Sequence, residues 1–147
     1  MTSHVIKTAL IALGIGFIAE LINSWFGSEF LHKFLTQNLV TILIALLAIN
    51  ATTMGIVLTK VRDMIDSSGG VACFKNTREQ MLLSIKEQIA LIVIAVVLFS
   101  IKDSYRIYAI ENATLLLNVL SISVFTYSLL VLYDTAKSVL IIIDFDS

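Results

Sequence analysis

Two stretches of this 147-residue chain carry no charged side chain over a length that matches a lipid bilayer. Phe34 to Thr59 is free of Asp, Glu, Lys and Arg for 26 residues, and Asn112 to Tyr133 for 22. A hydrocarbon core about 30 Å thick takes roughly 20 helical residues to cross, and without water inside it the backbone must bond within its own segment. Two shorter apolar runs complete the pattern, Thr8 to Ala19 between Lys7 and Glu20, and Gln88 to Ile101 between Glu87 and Lys102. They span if the flanking side chains snorkel to the headgroups or the helices extend past them. The expected fold is therefore all-α, a four-helix transmembrane bundle in one domain. Its spans lie near 5–26, 38–60, 86–104 and 112–134, with a helical hairpin at 60–86 and a tail at 135–147.

Composition agrees. With 58% hydrophobic residues and a mean hydropathy of +0.94, a soluble globule would have too little polar surface to cover its core. The first apolar run has the length of a signal-peptide centre, yet no small-x-small cleavage site follows it. The chain continues through Glu20, Asn23 and Trp25, so the run is read as a retained anchor.

Orientation follows from the basic residues in short loops. Lys7, Lys60, Arg62, Lys75, Arg78, Lys86 and Lys137 fall on one side, and Lys33, Lys102 and Arg106 on the other. Seven against three predicts that both termini and the hairpin face the cytoplasm. Trp25, Phe26, Tyr105 and Tyr108 then lie near the outer interface, where amphipathic rings are favoured. The lone Cys73 falls in the hairpin, which leaves a reduced thiol without an intramolecular disulfide.

Leu58, Val61 and Ile65, and then Leu82, Ile85, Ile89 and Ile92, recur at helical spacing, so the hairpin reads as two helices leaving the membrane. Ser67-Ser68-Gly69-Gly70 reads as its turn, and Thr77-Arg78-Glu79-Gln80 as a capping box that starts the third helix. Between them, Val71 to Phe74 is an apolar segment to be tucked under the helices or offered to a partner. Ser28 to Gln37 reads as a short interfacial helix on the outer side, with Phe30, Leu31, Phe34 and Leu35 on its apolar face. Val139 to Ile143 is too short to span, and is expected in the interface or as part of a docking tail.

Candidate intramembrane polar residues are Glu20, Asn50, Thr53 and Asn118. A carboxylate in hydrocarbon is costly enough that Glu20 either reaches the headgroups or has a proton, ion or interhelical role. Buried amides such as Asn50 and Asn118 bond between helices and fix register; alternatively, with Thr53, they line an oligomeric pore. Ala45, Ala48, Ala51 and Gly55, and Gly14 and Gly16 in the first span, allow close helix approach. Candidate partner or lipid contacts are Lys60, Arg62, Cys73, Phe74, Lys75, Arg78, Lys86, Ile142 and Phe145.

The five hairpin cations are offset by Asp63, Asp66, Glu79 and Glu87, and five against four is too weak a patch for direct nucleic-acid binding. Catalysis has no motif behind it. The two histidines, His4 and His32, fall on opposite predicted sides, and no metal-ligand or nucleophile spacing occurs. The chain is thus read as neither an enzyme nor the holder of a cofactor or metal.

Asn50 to Met64 (NATTMGIVLTKVRDM), a long span running straight into charge, and Thr77 to Ala90 (TREQMLLSIKEQIA), a charged re-entry, give the chain a recognisable outline. It resembles the small four-span membrane proteins of bacterial phage-defence and prophage-exclusion loci. The outline is most similar to the membrane subunit of the Kiwa defence system, and more loosely to the lambda exclusion membrane protein. The resemblance implies a homo-oligomer, with a tetramer favoured, that senses phage-related disturbance at the inner membrane and holds a cytoplasmic partner. The alternatives are an autonomous holin-like pore that depolarises the cell and an accessory subunit of a larger membrane complex.

Overall fold

The structure is a computed structural model that describes the backbone of residues 2–68, 71–104 and 113–144. Side chains are described throughout these segments except at 2–4, 61, 63–68, 71–78, 80 and 138–144. Four helices account for nearly all of it: α1 (Thr2–Phe26), α2 (Phe30–Ser68), α3 (Val71–Lys102) and α4 (Ala113–Asp144). Each contains a segment long and apolar enough to cross a membrane: Val5–Phe26, Phe30–Lys60, Met81–Lys102 and Ala113–Lys137.

The helices pack along seams of 3–4 spacing. On α3 the inward positions are Met81, Ser84, Gln88, Leu91, Ala95, Leu98 and Lys102, an alternation of three and four that keeps one face toward its neighbours. On α1 they are Ala9, Ala12, Gly16, Glu20 and Asn23. The buried face of α4 is far wider, because α4 packs against all three other helices, whereas α1 leans chiefly on α4 and α2 on α3. Half of the α4 span is buried, against about a quarter of each of the others. The remaining faces of α1, α2 and α3 are apolar and exposed, Ile11, Phe17, Ile44, Ile56, Val93 and Val97 among them.

The contacts define an up-down-up-down bundle. Gly16 on α1 meets Val119 and Ser123 on α4, while Glu20 meets Asn118, so α1 and α4 are antiparallel. Ser84 meets Thr135 and Lys102 meets Asn118, so α3 and α4 are antiparallel as well. One end of the bundle therefore holds the α1–α2 and α3–α4 connections, here the paired-loop end. The other end holds the start of α1, the end of α2, the start of α3 and the end of α4.

Glycine decides two local features. Gly27 takes φ 61° and closes α1 with a Schellman pair, Gly27 N–H donating to Ser24 O and Ser28 N–H to Asn23 O. Ser28 Oγ then accepts from Phe30 N–H, so α2 starts within three residues of the end of α1. At Gly16 a Cβ would collide with Ser123 Oγ and lie 2.9 Å from the Val119 carbonyl oxygen, so α1 and α4 touch here because no side chain intervenes. Gly14 and Gly55 face open space, as exposed Ala45, Ala48 and Ala51 face outward from α2.

Two local expectations need correction, and one further segment gains its secondary structure. Ser28 to Gln37 is not a separate interfacial helix: Phe30 opens α2, and Leu31 and Leu35 already pack in the core. The apolar face that suggested an interfacial helix is the first two turns of the span. α3 begins at Val71 rather than Thr77, so the capping-box pattern lies inside a helix. The backbone of Val139 to Ile143 continues α4 to Asp144. In each case nothing breaks the backbone hydrogen-bond ladder, and with no proline in the chain the helix propagates.

Candidate functional site

At the paired-loop end, one polar side chain from each helix converges on a single point. Glu20 enters from α1 along the Ala12–Gly16 seam, where the small residues bring the helix against α4. His32 enters from the first turn of α2, positioned by the three-residue connection at Gly27. Lys102 is the last residue of α3 and continues its inward seam. Asn118 comes from the second turn of α4.

Asn118 is the hub. Its Nδ2 donates to Glu20 Oε1 at 3.1 Å, and its Oδ1 accepts from Lys102 Nζ at 2.9 Å. The amide dipole thus lies between carboxylate and ammonium with its negative end toward the cation, the orientation this network requires. His32 Nε2 lies 3.1 Å from Glu20 Oε2 and 3.4 Å from Asn118 Nδ2. Glu20 and Asn118 are 7% and 8% exposed, so the carboxylate is held by protein groups rather than by water. Its Oε2 lies within ion-pair reach of His32 but off the hydrogen-bond direction.

The imidazole stands at a branch point. A ring nitrogen that carries hydrogen faces Glu20 Oε2 within ion-pair reach and leaves the Asn118 amide facing another donor. A bare ring nitrogen accepts from Asn118 and leaves Glu20 Oε2 short of a partner. Nε2 thus stands between Glu20 of α1 and Asn118 of α4 and brings α2 to both helices. Its neighbours are Glu20 from α1, the Asn118 amide from α4 and, through charge, Glu29 just before α2.

Lys33 and Glu29 form a contrasting pair on the surface, 2.8 Å apart and both largely exposed. The hydrogen bond from Lys33 holds the Glu29 carboxyl below its usual range, but in water such pairs carry little stability.

Glu20 and Asn118 thus meet in one cluster, joined by His32 and Lys102, neither of which was among the candidate intramembrane polar residues. Register sets Glu20 and Lys102 on the inward faces of their helices once the packing shows which faces those are. Glu20 follows Ala12 and Gly16 at four-residue spacing, and Lys102 follows Leu91, Ala95 and Leu98 on the face of α3 that turns inward.

Asn50 is not part of the cluster; it is buried far along α2, 18 residues from His32 and so roughly 27 Å down the helix. Thr53 is half-buried, and its hydroxyl is spent on its own helix, donating to Ile49 O at 2.9 Å. Lys60, Arg62 and Lys86 are exposed. Cys73, Phe74, Lys75, Arg78, Ile142 and Phe145 lie outside the residues whose side chains are described. Among the described residues no group of His, Cys, Asp or Glu is arranged to hold a metal ion.

Comparison of the chain with protein-family models, with curated proteins and with solved structures finds no match in any of the three.

Proposed function

We propose that this chain is an oligomeric, non-catalytic sensor and scaffold of the bacterial inner membrane, with both termini cytoplasmic. Its role is that of the anti-phage defence membrane subunits it resembles: it registers a disturbance of the membrane during infection and passes it to a cytoplasmic effector partner. One observation carries the reading. α2 holds His32 in the polar cluster at one end and runs unbroken for 39 residues, roughly 58 Å, to Ser68. That is about twice the hydrocarbon thickness. A helix of that length moves as a rod, so a change at the cluster shifts the far end of α2 and the start of α3 on the opposite side. The cluster supplies the two-state element through the His32 branch point.

The oligomer is supported by Ala45, Ala48, Thr52 and Gly55, which form an exposed stripe of small residues at 3–4 spacing on α2. Thr52 Oγ1 already bonds to Ala48 O, so the stripe presents no unpaired hydroxyl to a neighbouring helix. A tetramer is the favoured assembly. An autonomous pore has less support, because Glu20, Asn50 and Asn118 face the interior of a single chain rather than a surface that subunits share.

The test is gentle detergent extraction of the tagged protein from its native host, read by native mass spectrometry and by the identity of co-purifying chains. A defined homo-oligomer carrying a stoichiometric soluble protein is the expected result. A homo-oligomer alone, conducting ions in vesicles, would move the assignment to a pore. A single copy bound to other membrane subunits would make it an accessory chain.

A further inference from the structure

Asn50 and Gln88 are 2% and 1% exposed, and all four of their side-chain nitrogen and oxygen atoms lack a hydrogen-bond partner on the protein. Their positions are correlated. Along α2 the buried residues run Leu39, Leu43, Leu46, Asn50, Met54, Val57; along α3 they run, in the opposite sense, Leu98, Ala95, Leu91, Gln88, Met81. Leu39, Leu43, Leu91, Ala95 and Leu98 share one apolar cluster, and Met54, Val57 and Met81 share a second, with Ile85 against it. One antiparallel register satisfies both clusters, and it sets Asn50 level with Gln88 in the gap between them.

We infer that this gap is a binding site for water, in which one or two molecules bridge the Asn50 and Gln88 amides across the α2–α3 seam. The chemistry selects the ligand. A buried amide left unmade costs its full desolvation, so native folds partner such groups. A neighbouring subunit cannot reach side chains this deeply enclosed. Two carboxamides offer two acceptor oxygens and two donor NH2 groups, a neutral and balanced set. A cation would find two oxygens and two repelling amino groups. Water both donates and accepts, and buried waters typically make about three hydrogen bonds to groups of this kind. The seam is therefore dry, wet and dry in succession, and its wet layer is where bonds can be exchanged without a new cavity opening. This inference is independent of the biological role proposed above.

Solid-state NMR of the full chain in phosphatidylethanolamine–phosphatidylglycerol vesicles tests it directly, by polarisation transfer from water to the 15N-labelled side-chain amides. Rapid transfer to Asn50 and Gln88, with none to the methyls of Leu43 and Leu91, is the expected result. Slow transfer at both amides, or a direct contact between them, would overturn it, and so would amide shifts that follow added sodium or potassium. As a second readout, Asn50→Leu and Gln88→Leu alone should each raise the unfolding constant in mixed detergent at least tenfold, with the double substitution recovering most of the loss. Strictly additive losses would overturn the shared site.

Discussion

The amide of Asn118 answers two opposite demands, a carboxylate on one side and an ammonium on the other, and no other side chain of its size has both a donor and an acceptor end. Asn118→Leu should therefore strand Glu20 and Lys102 together and cost about 3 kcal/mol, in the range for breaking a buried charge pair. Denaturant titration in detergent would measure it. Replacing the whole set, with Leu at 20, 32 and 118 and Met at 102, should cost less than Asn118→Leu alone, because no charge is then left uncompensated. Glu29→Gln should leave the denaturation midpoint unchanged, since both Glu29 and its partner Lys33 are exposed. Gly16→Val should lower stability by about 1–3 kcal/mol through overpacking against α4, whereas Gly14→Ala, which meets open space, should not. Of these residues, Glu20 and Asn118 could be singled out in the sequence because a polar group inside an apolar run is conspicuous. His32 and Lys102 could not, since their flanks are polar and their partners lie up to 86 residues away.

The element that departs furthest from expectation is α2. Its span was expected to start near residue 38, yet the helix opens at Phe30 and passes through Lys33, while its run beyond Lys60 follows the Leu58, Val61 and Ile65 spacing. Side-chain charge does not end a helix; a backbone conformation such as that of Gly27 does. Two apolar clusters separated by the Asn50–Gln88 layer divide the α2–α3 seam into independent parts. Met81→Ala should accordingly raise amide exchange around residues 54–60 and 81–86 while leaving exchange at the Gly16–Ser123 contact unchanged, read by hydrogen exchange in vesicles. A uniform rise through all four helices would show that the seam unfolds as one unit.

For the whole molecule, the up-down-up-down order puts the start of α1 and the end of α4 at the same end of the bundle, and each helix holds a segment long and apolar enough to cross a membrane. Fluorescent fusions at the two ends should therefore behave alike, and the positive-inside rule predicts that both fluoresce in the cytoplasm. The number of helices, their class and their capacity to span were legible in the sequence, because hydropathy and length are summed along the chain and need no knowledge of neighbours. The order of packing was not. That α4 lies at the centre, that Gly16 rather than Gly14 or Gly55 makes a close approach, and that four polar residues from four helices meet at one end depend on which face each helix turns inward. Helix rotation is fixed by side chains interlocking across the bundle, so it was decided by tertiary structure alone.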